Sequence, residues 1–149
     1  MTVLEFTDLY SEGELLKAAK KYLSALGDIK VILLNGELGA GKTALACRIL
    51  EAAGARDIIT SPTFTVCSTY EISPNNRQSG EPPFALHADL YRIRSFSELE
   101  QTGFFELLDR AELAVIEWGG AIKDFLARYA EINILVSGEE RRYTFRKFN

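Results

Sequence analysis

Apolar residues recur at helical spacing between Leu15 and Leu26, with Leu15, Leu16, Ala18, Ala19, Tyr22, Leu23 and Leu26 sharing one face. Ser11-Glu12-Gly13-Glu14 precedes them as a capping box and Gly27 follows as a stop, so a first helix is predicted from roughly Glu12 to Leu26. Lys30-Val31-Ile32-Leu33-Leu34-Asn35 breaks that rhythm. Its adjacent apolar residues, rich in strand formers, predict a parallel strand buried on both faces. Helix formers return from Thr43 to Ala53, with Gly54 placed to end the helix. Further strands are predicted at Phe64 to Glu71, Phe84 to Ala88, Leu113 to Glu117, Ile132 to Val136 and Arg142 to Phe148. Ser97-Glu98-Leu99-Glu100 reads as a second capping box, opening a helix from Leu99 to Leu108 that Gly103 interrupts. Ser73 to Pro83 has the prolines and turn formers of a surface loop.

Between the first buried strand and the second helix lies Gly36-Glu37-Leu38-Gly39-Ala40-Gly41-Lys42-Thr43, which fits the P-loop pattern G-x-x-x-x-G-K-T/S. Each fixed position has a task around a polyphosphate. The glycines let the backbone wrap phosphate oxygens and aim successive N–H groups inward, Lys42 carries a flexible charge to the terminal phosphates, and the Thr43 hydroxyl binds Mg²⁺. The helix N-terminus adds partial positive charge at the same place. Strands alternating with helices around such a loop predict an α/β fold. The expected form is a three-layer P-loop NTPase sandwich with a mixed, mostly parallel central sheet. Its C-terminal strands, joined by Ser137-Gly138-Glu139-Glu140, form an antiparallel hairpin.

Phosphoryl transfer also needs carboxylates that hold metal and position water. Leu113-Ala114-Val115-Ile116-Glu117 ends a buried strand in an acid, at the sheet edge where open α/β folds bind ligands; Glu117 is the candidate Walker B residue, opposite Thr43 at the metal. Asp89, in His87-Ala88-Asp89-Leu90-Tyr91-Arg92, is the second candidate carboxylate, placed to position the attacking water or to accept from a metal-bound one. His87 shares a strand face with Asp89 and reads either as a catalytic base or as a structural partner of that acid. Arg92 either neutralises phosphate or pairs with a neighbouring acid. Trp118, the sole tryptophan, lines the nucleotide site, faces a partner or packs. Ser61-Pro62-Thr63-Phe64-Thr65 is either a loop sensing the γ-phosphate or a plain strand entry.

The 149 residues suffice for one core, so a single domain over 1–149 is expected. A net charge of −4 gives no global case for duplex DNA or an acidic membrane. Apolar runs fall far short of the roughly 20 residues that span a bilayer, and Met1 to Phe6 lacks the marks of a secretory signal. A cytoplasmic location without membrane contact is therefore expected. Cys47 and Cys67 fit no zinc spacing and are read as small buried hydrophobes. Arg141, Arg142, Arg146 and Lys147 read either as an RNA contact or as a solvated strand face.

G-E-L-G-A-G-K-T at Gly36 to Thr43, S-P-T-F-T at Ser61 to Thr65, H-A-D-L-Y-R at His87 to Arg92 and I-E-W at Ile116 to Trp118 occur in that order. Together they resemble the TsaE-type (YjeE-like) P-loop ATPases of bacterial tRNA threonylcarbamoyladenosine biosynthesis. The resemblance implies an ATP-hydrolysing subunit that acts with TsaD and TsaB partners to support threonylcarbamoyl transfer at adenosine 37, the transfer itself belonging to a partner and tRNA being engaged indirectly. It implies that Gly36, Glu37, Leu38, Gly39, Ala40, Gly41, Lys42 and Thr43 bind ATP, that Thr43 and Glu117 hold Mg²⁺, and that Lys42, Asp89 and Glu117 serve hydrolysis. Trp118 completes the site in that reading, as does an arginine near the start of the last strand, matched best by Arg141 with Arg142 adjacent. Gly119-Gly120 departs from the family pattern and predicts a mobile loop after Trp118. A small-molecule kinase and a nucleotide-responsive module without turnover remain as rivals, whereas a GTPase would need an N-K-x-D motif that is absent.

Overall fold

Four adjacent apolar residues can all be hidden only in a strand covered on both faces, and β2 (Val31–Gly36) is such a strand. Ile32 and Leu34 enter one core cluster, while Val31 and Leu33 enter a second on the opposite face. In the computed structural model, which describes residues 2–56, 66–72 and 82–149, the other strands are β1 (Thr2–Leu9), β3 (Cys67–Glu71), β4 (Phe84–Asp89), β5 (Leu113–Glu117), β6 (Tyr129–Ser137) and β7 (Glu140–Phe148). They form one sheet in the order β1-β7-β6-β2-β5-β4-β3. The block β6-β2-β5-β4 is parallel, and β1, β7 and β3 join antiparallel at the two edges. The α/β sandwich with a mixed sheet and a terminal antiparallel hairpin is therefore observed.

Helices α1 (Leu15–Leu26) and α2 (Lys42–Ala52) cover one face, burying Leu15, Ala18, Ala19, Tyr22 and Leu26 from the first and Leu45, Ala46, Ile49 and Leu50 from the second. Burial of the leucine and isoleucine side chains among these is worth about 1.5–3 kcal/mol each. The Tyr22 ring packs against both Phe6 and Phe145, which also stack on each other at 4.9 Å, and this three-ring cluster ties α1 to the antiparallel edge. Helices α3 (Phe96–Gln101) and α4 (Phe104–Arg110) and the 3-10 turn Gly119–Phe125 cover the other face with Leu99, Phe104, Leu108 and Ile122. That makes three layers.

Local signals were displaced at three points. β1 was not expected, because Glu5 and Asp8 interrupt its apolar pattern; they are accommodated by pairing across the fold, Glu5 with Arg146 and Asp8 with Lys21. The first capping box begins a 3-10 turn, Glu12–Glu14, in which Ser11 N and Oγ both donate to Glu14 Oε1. The second lies two residues earlier than read. Ser95, not Ser97, caps α3 by accepting from Glu98 N at 3.1 Å, while Glu98 Oε2 accepts from Arg94 N at 3.0 Å. Ser61 to Thr65 lies outside the described residues, as does Ser73 to Pro83 apart from its last two. Among the described residues no helix is long and apolar enough to cross a membrane.

Candidate functional site

A loop that wraps an anion needs backbone conformations and clearances that side chains forbid, and the glycines of 36–43 meet both needs. Gly39 and Gly41 sit at φ 82° and 102°, in the left-handed region. Gly36 has ordinary φ but little room, since a Cβ there would meet Ile134 O at 3.0 Å and the Ala40 Cβ at 3.1 Å. Lys42 at the start of α2 folds back over the loop. Its Nζ donates to Gly36 O at 2.7 Å and Glu37 O at 2.8 Å, and lies 4.2 Å from the centroid of the Trp118 ring. Burial pulls the Lys42 pKa down, opposed by the charges of Glu117 and Asp89. A buried cation whose hydrogen bonds among the described residues go to backbone carbonyls suits an anionic ligand.

Strand alternation brings the acids to the same place. Val115 and Ala85 belong to the α1/α2 cluster, so Glu117 on β5 and His87 and Asp89 on β4 point to that face as well, at the carboxyl ends of parallel strands. Glu117, 2% exposed, accepts from Thr43 Oγ1 at Oε1 over 2.7 Å. Its Oε2 lies 2.7 Å from His87 Nε2. The sequence reading paired His87 with Asp89, and the structure pairs it with Glu117. Asp89 stands beside Glu117 in register and uses Oδ1 to accept from Tyr91 N at 3.1 Å.

Trp118 is the sole non-glycine residue with positive φ among the described residues, at 58°. That backbone costs about 1–2 kcal/mol. The turn places the indole between Lys42 and the Tyr91 ring, whose centroid is 4.9 Å away. Tyr91 had no role in the sequence reading; an aromatic two residues after Asp89 was the available signal. Gly119, read with Gly120 as the start of a mobile loop, opens the 3-10 turn Gly119–Phe125. It is buried, and a Cβ there would come within 2.8 Å of Leu33 Cδ2, so this glycine seats the turn tightly on β2.

Of the two candidate arginines, Arg141 shares the strand face of Tyr143 and Phe145, and its Nη1 would stand 3.3 Å from a Cβ on Gly41. Arg142 is exposed and faces the opposite way, opposite Leu9 and Leu135. The basic run is thereby divided between two faces, with Arg146 paired to Glu5 and Lys147 Nζ donating to Ala25 O. Arg92 is exposed.

The oxygens of Thr43 and Glu117 suit a hard cation such as Mg²⁺, which takes one or two carboxylates and completes its shell with phosphate and water. Among the described residues no three His, Cys, Asp or Glu side chains gather into a metal cage.

Comparison with known proteins finds one family. The family model for "Threonylcarbamoyl adenosine biosynthesis protein TsaE" matches residues 9–144. A "tRNA threonylcarbamoyladenosine biosynthesis protein TsaE" of Rickettsia felis is 37% identical over 137 residues, covering 90% of this chain and 74% of the relative. Its counterpart from Rickettsia bellii is 34% identical over 139 residues, covering 91% and 90%. A crystal structure of Bacillus subtilis YdiB superposes with a TM-score of 0.66 at 25% identity, covering 100% of this chain and 88% of that one.

Proposed function

The chain belongs to the TsaE family, and we propose that it is the ATP-binding and ATP-hydrolysing subunit for formation of N6-threonylcarbamoyladenosine at position 37 of tRNA. In this reading it works with TsaD- and TsaB-type proteins in the cytoplasm, engages tRNA indirectly, and leaves the transfer step to a partner. The observation that supports it most is the 2.7 Å contact between Thr43 Oγ1 and Glu117 Oε1, which joins the P-loop helix to the end of β5 where the metal-bound triphosphate would lie.

The residues divide the work by chemistry. Backbone N–H groups of Gly36 to Thr43 hold the α- and β-phosphates, and Lys42 exchanges the carbonyls of Gly36 and Glu37 for terminal phosphate oxygens. Thr43 and Glu117 would hold Mg²⁺, which would supply positive charge against that of the terminal phosphates. Asp89, adjacent to Glu117, orients the water whose oxygen attacks the γ-phosphorus as the bond to the ADP oxygen breaks. Arg141 neutralises phosphate charge from the P-loop side, and Trp118 with Tyr91 walls the far side.

Hydrolysis by the chain alone is slow and rises when the partners complete the site. Phosphate release measured for the chain alone and with purified TsaB- and TsaD-type proteins tests this. A clear rise with partners supports the reading. ATP binding without hydrolysis in either condition would favour a nucleotide-responsive module, and phosphoryl transfer to a metabolite would favour a kinase.

A further inference from the structure

We propose that His87 is a positioning residue that holds the Glu117 carboxylate in the orientation needed to bind the cation, an inference that rests on the nucleotide and Mg²⁺ reading above. A glutamate ends in a loosely restrained torsion, so a carboxylate at a metal site needs a second partner to keep one oxygen aimed. Glu117 has one partner on each oxygen. Oε1 faces Thr43 and Oε2 faces His87, at 2.7 Å each. His87 is fully buried on β4, where its backbone pairs with Val115 of β5 and Ser68 of β3. The ring is therefore mounted on paired strands, and its only hydrogen bond among the described residues is the one to Glu117.

The other ring nitrogen strengthens the argument. Nδ1 is buried and has no hydrogen-bond partner among the described residues. A carboxylate oxygen only accepts, so the contact places a proton on Nε2 and directs that N–H at Glu117. An apolar side chain would fill this interior without leaving any nitrogen unmatched. What histidine adds is a rigid N–H aimed at Oε2. His87 acts through Glu117, two residues from Asp89 on the same strand face and behind the acid that faces Thr43.

The test measures how strongly Mg²⁺ and ATP support each other's binding to the full chain, as the ratio of the ATP dissociation constant in EDTA to that in saturating Mg²⁺. His87→Leu should leave the EDTA value near wild type and lower the ratio about tenfold or more, or bring it to one. His87→Gln, whose amide nitrogen can occupy the Nε2 position, should keep the ratio within about threefold of wild type. Thermal melting checks that each variant folds; if His87→Leu does not, His87→Asn, too short to reach Oε2, replaces it. A wild-type ratio in His87→Leu, or a loss as deep in His87→Gln, would overturn the proposal. A wild-type chain whose ATP affinity ignores Mg²⁺ would overturn the metal reading itself, and the role of His87 with it.

Discussion

Replacing Lys42 by alanine removes the one side chain that leaves the P-loop helix and returns over the loop. Its ammonium bonds to Gly36 O and Glu37 O, at 2.7 and 2.8 Å. ATP therefore gains the difference between bonds to charged phosphate oxygens and bonds to these carbonyls. A hydrogen bond to a charged group contributes about 1.5–3 kcal/mol net. At about 1.4 kcal/mol per decade that is roughly a 10- to 140-fold loss of affinity, and the carbonyl bonds broken on binding put the expectation toward the lower end. Isothermal titration of Mg²⁺-ATP into wild type and Lys42→Ala measures it, with urea unfolding to verify that the variant is folded. Lys20→Ala, at an exposed position on α1, controls for the lost net charge. A folded Lys42→Ala that binds within about threefold of wild type, or a Lys20→Ala that loses as much, would refute the assignment of Lys42 to the phosphates.

Gly119→Ala should destabilise the chain by about 1–3 kcal/mol in urea unfolding, because its Cβ would press on Leu33 Cδ2 and Ile116 Cγ2 inside a packed layer; a loss under about 0.5 kcal/mol would show that the contact relaxes freely. Ser95→Ala should cost about 1 kcal/mol by removing the α3 cap, and Ser97→Ala within about 0.5 kcal/mol; the reverse ranking would move the helix start. Burial pushes both the Cys47 and Cys67 thiols up, with Glu117 adding to the effect at Cys47. Less thiolate is then present near pH 8 than in the unfolded chain, so Ellman's reagent should react more slowly with native protein than in urea, and equal rates would contradict the burial.

How much of this was readable beforehand depended on whether the information was local. The P-loop is contiguous, so the residue types at 36–43 name their own tasks, and β5 was read to its observed bounds because four apolar residues and an acid lie side by side. The α3 cap was misplaced because Ser95 and Ser97 each have an acid three residues on, Glu98 and Glu100, and local pattern does not rank them. β1 carries no local strand signal, because its acids find their partners only on α1 and β7.

The chain's linear order was enough to place a glycine-rich loop of P-loop pattern, a buried strand ending in Glu117 and a three-layer α/β arrangement, since each follows from spacing within a few residues. The contact of His87 with Glu117 rather than Asp89, and the approach of Arg141 rather than Arg142 to Gly41, had to await the folded sheet. Both depend on strand register, and a slip of one residue turns every side chain to the other face. That register is set by the packing of the whole core on β2, β5 and β7, which no single segment of the sequence contains.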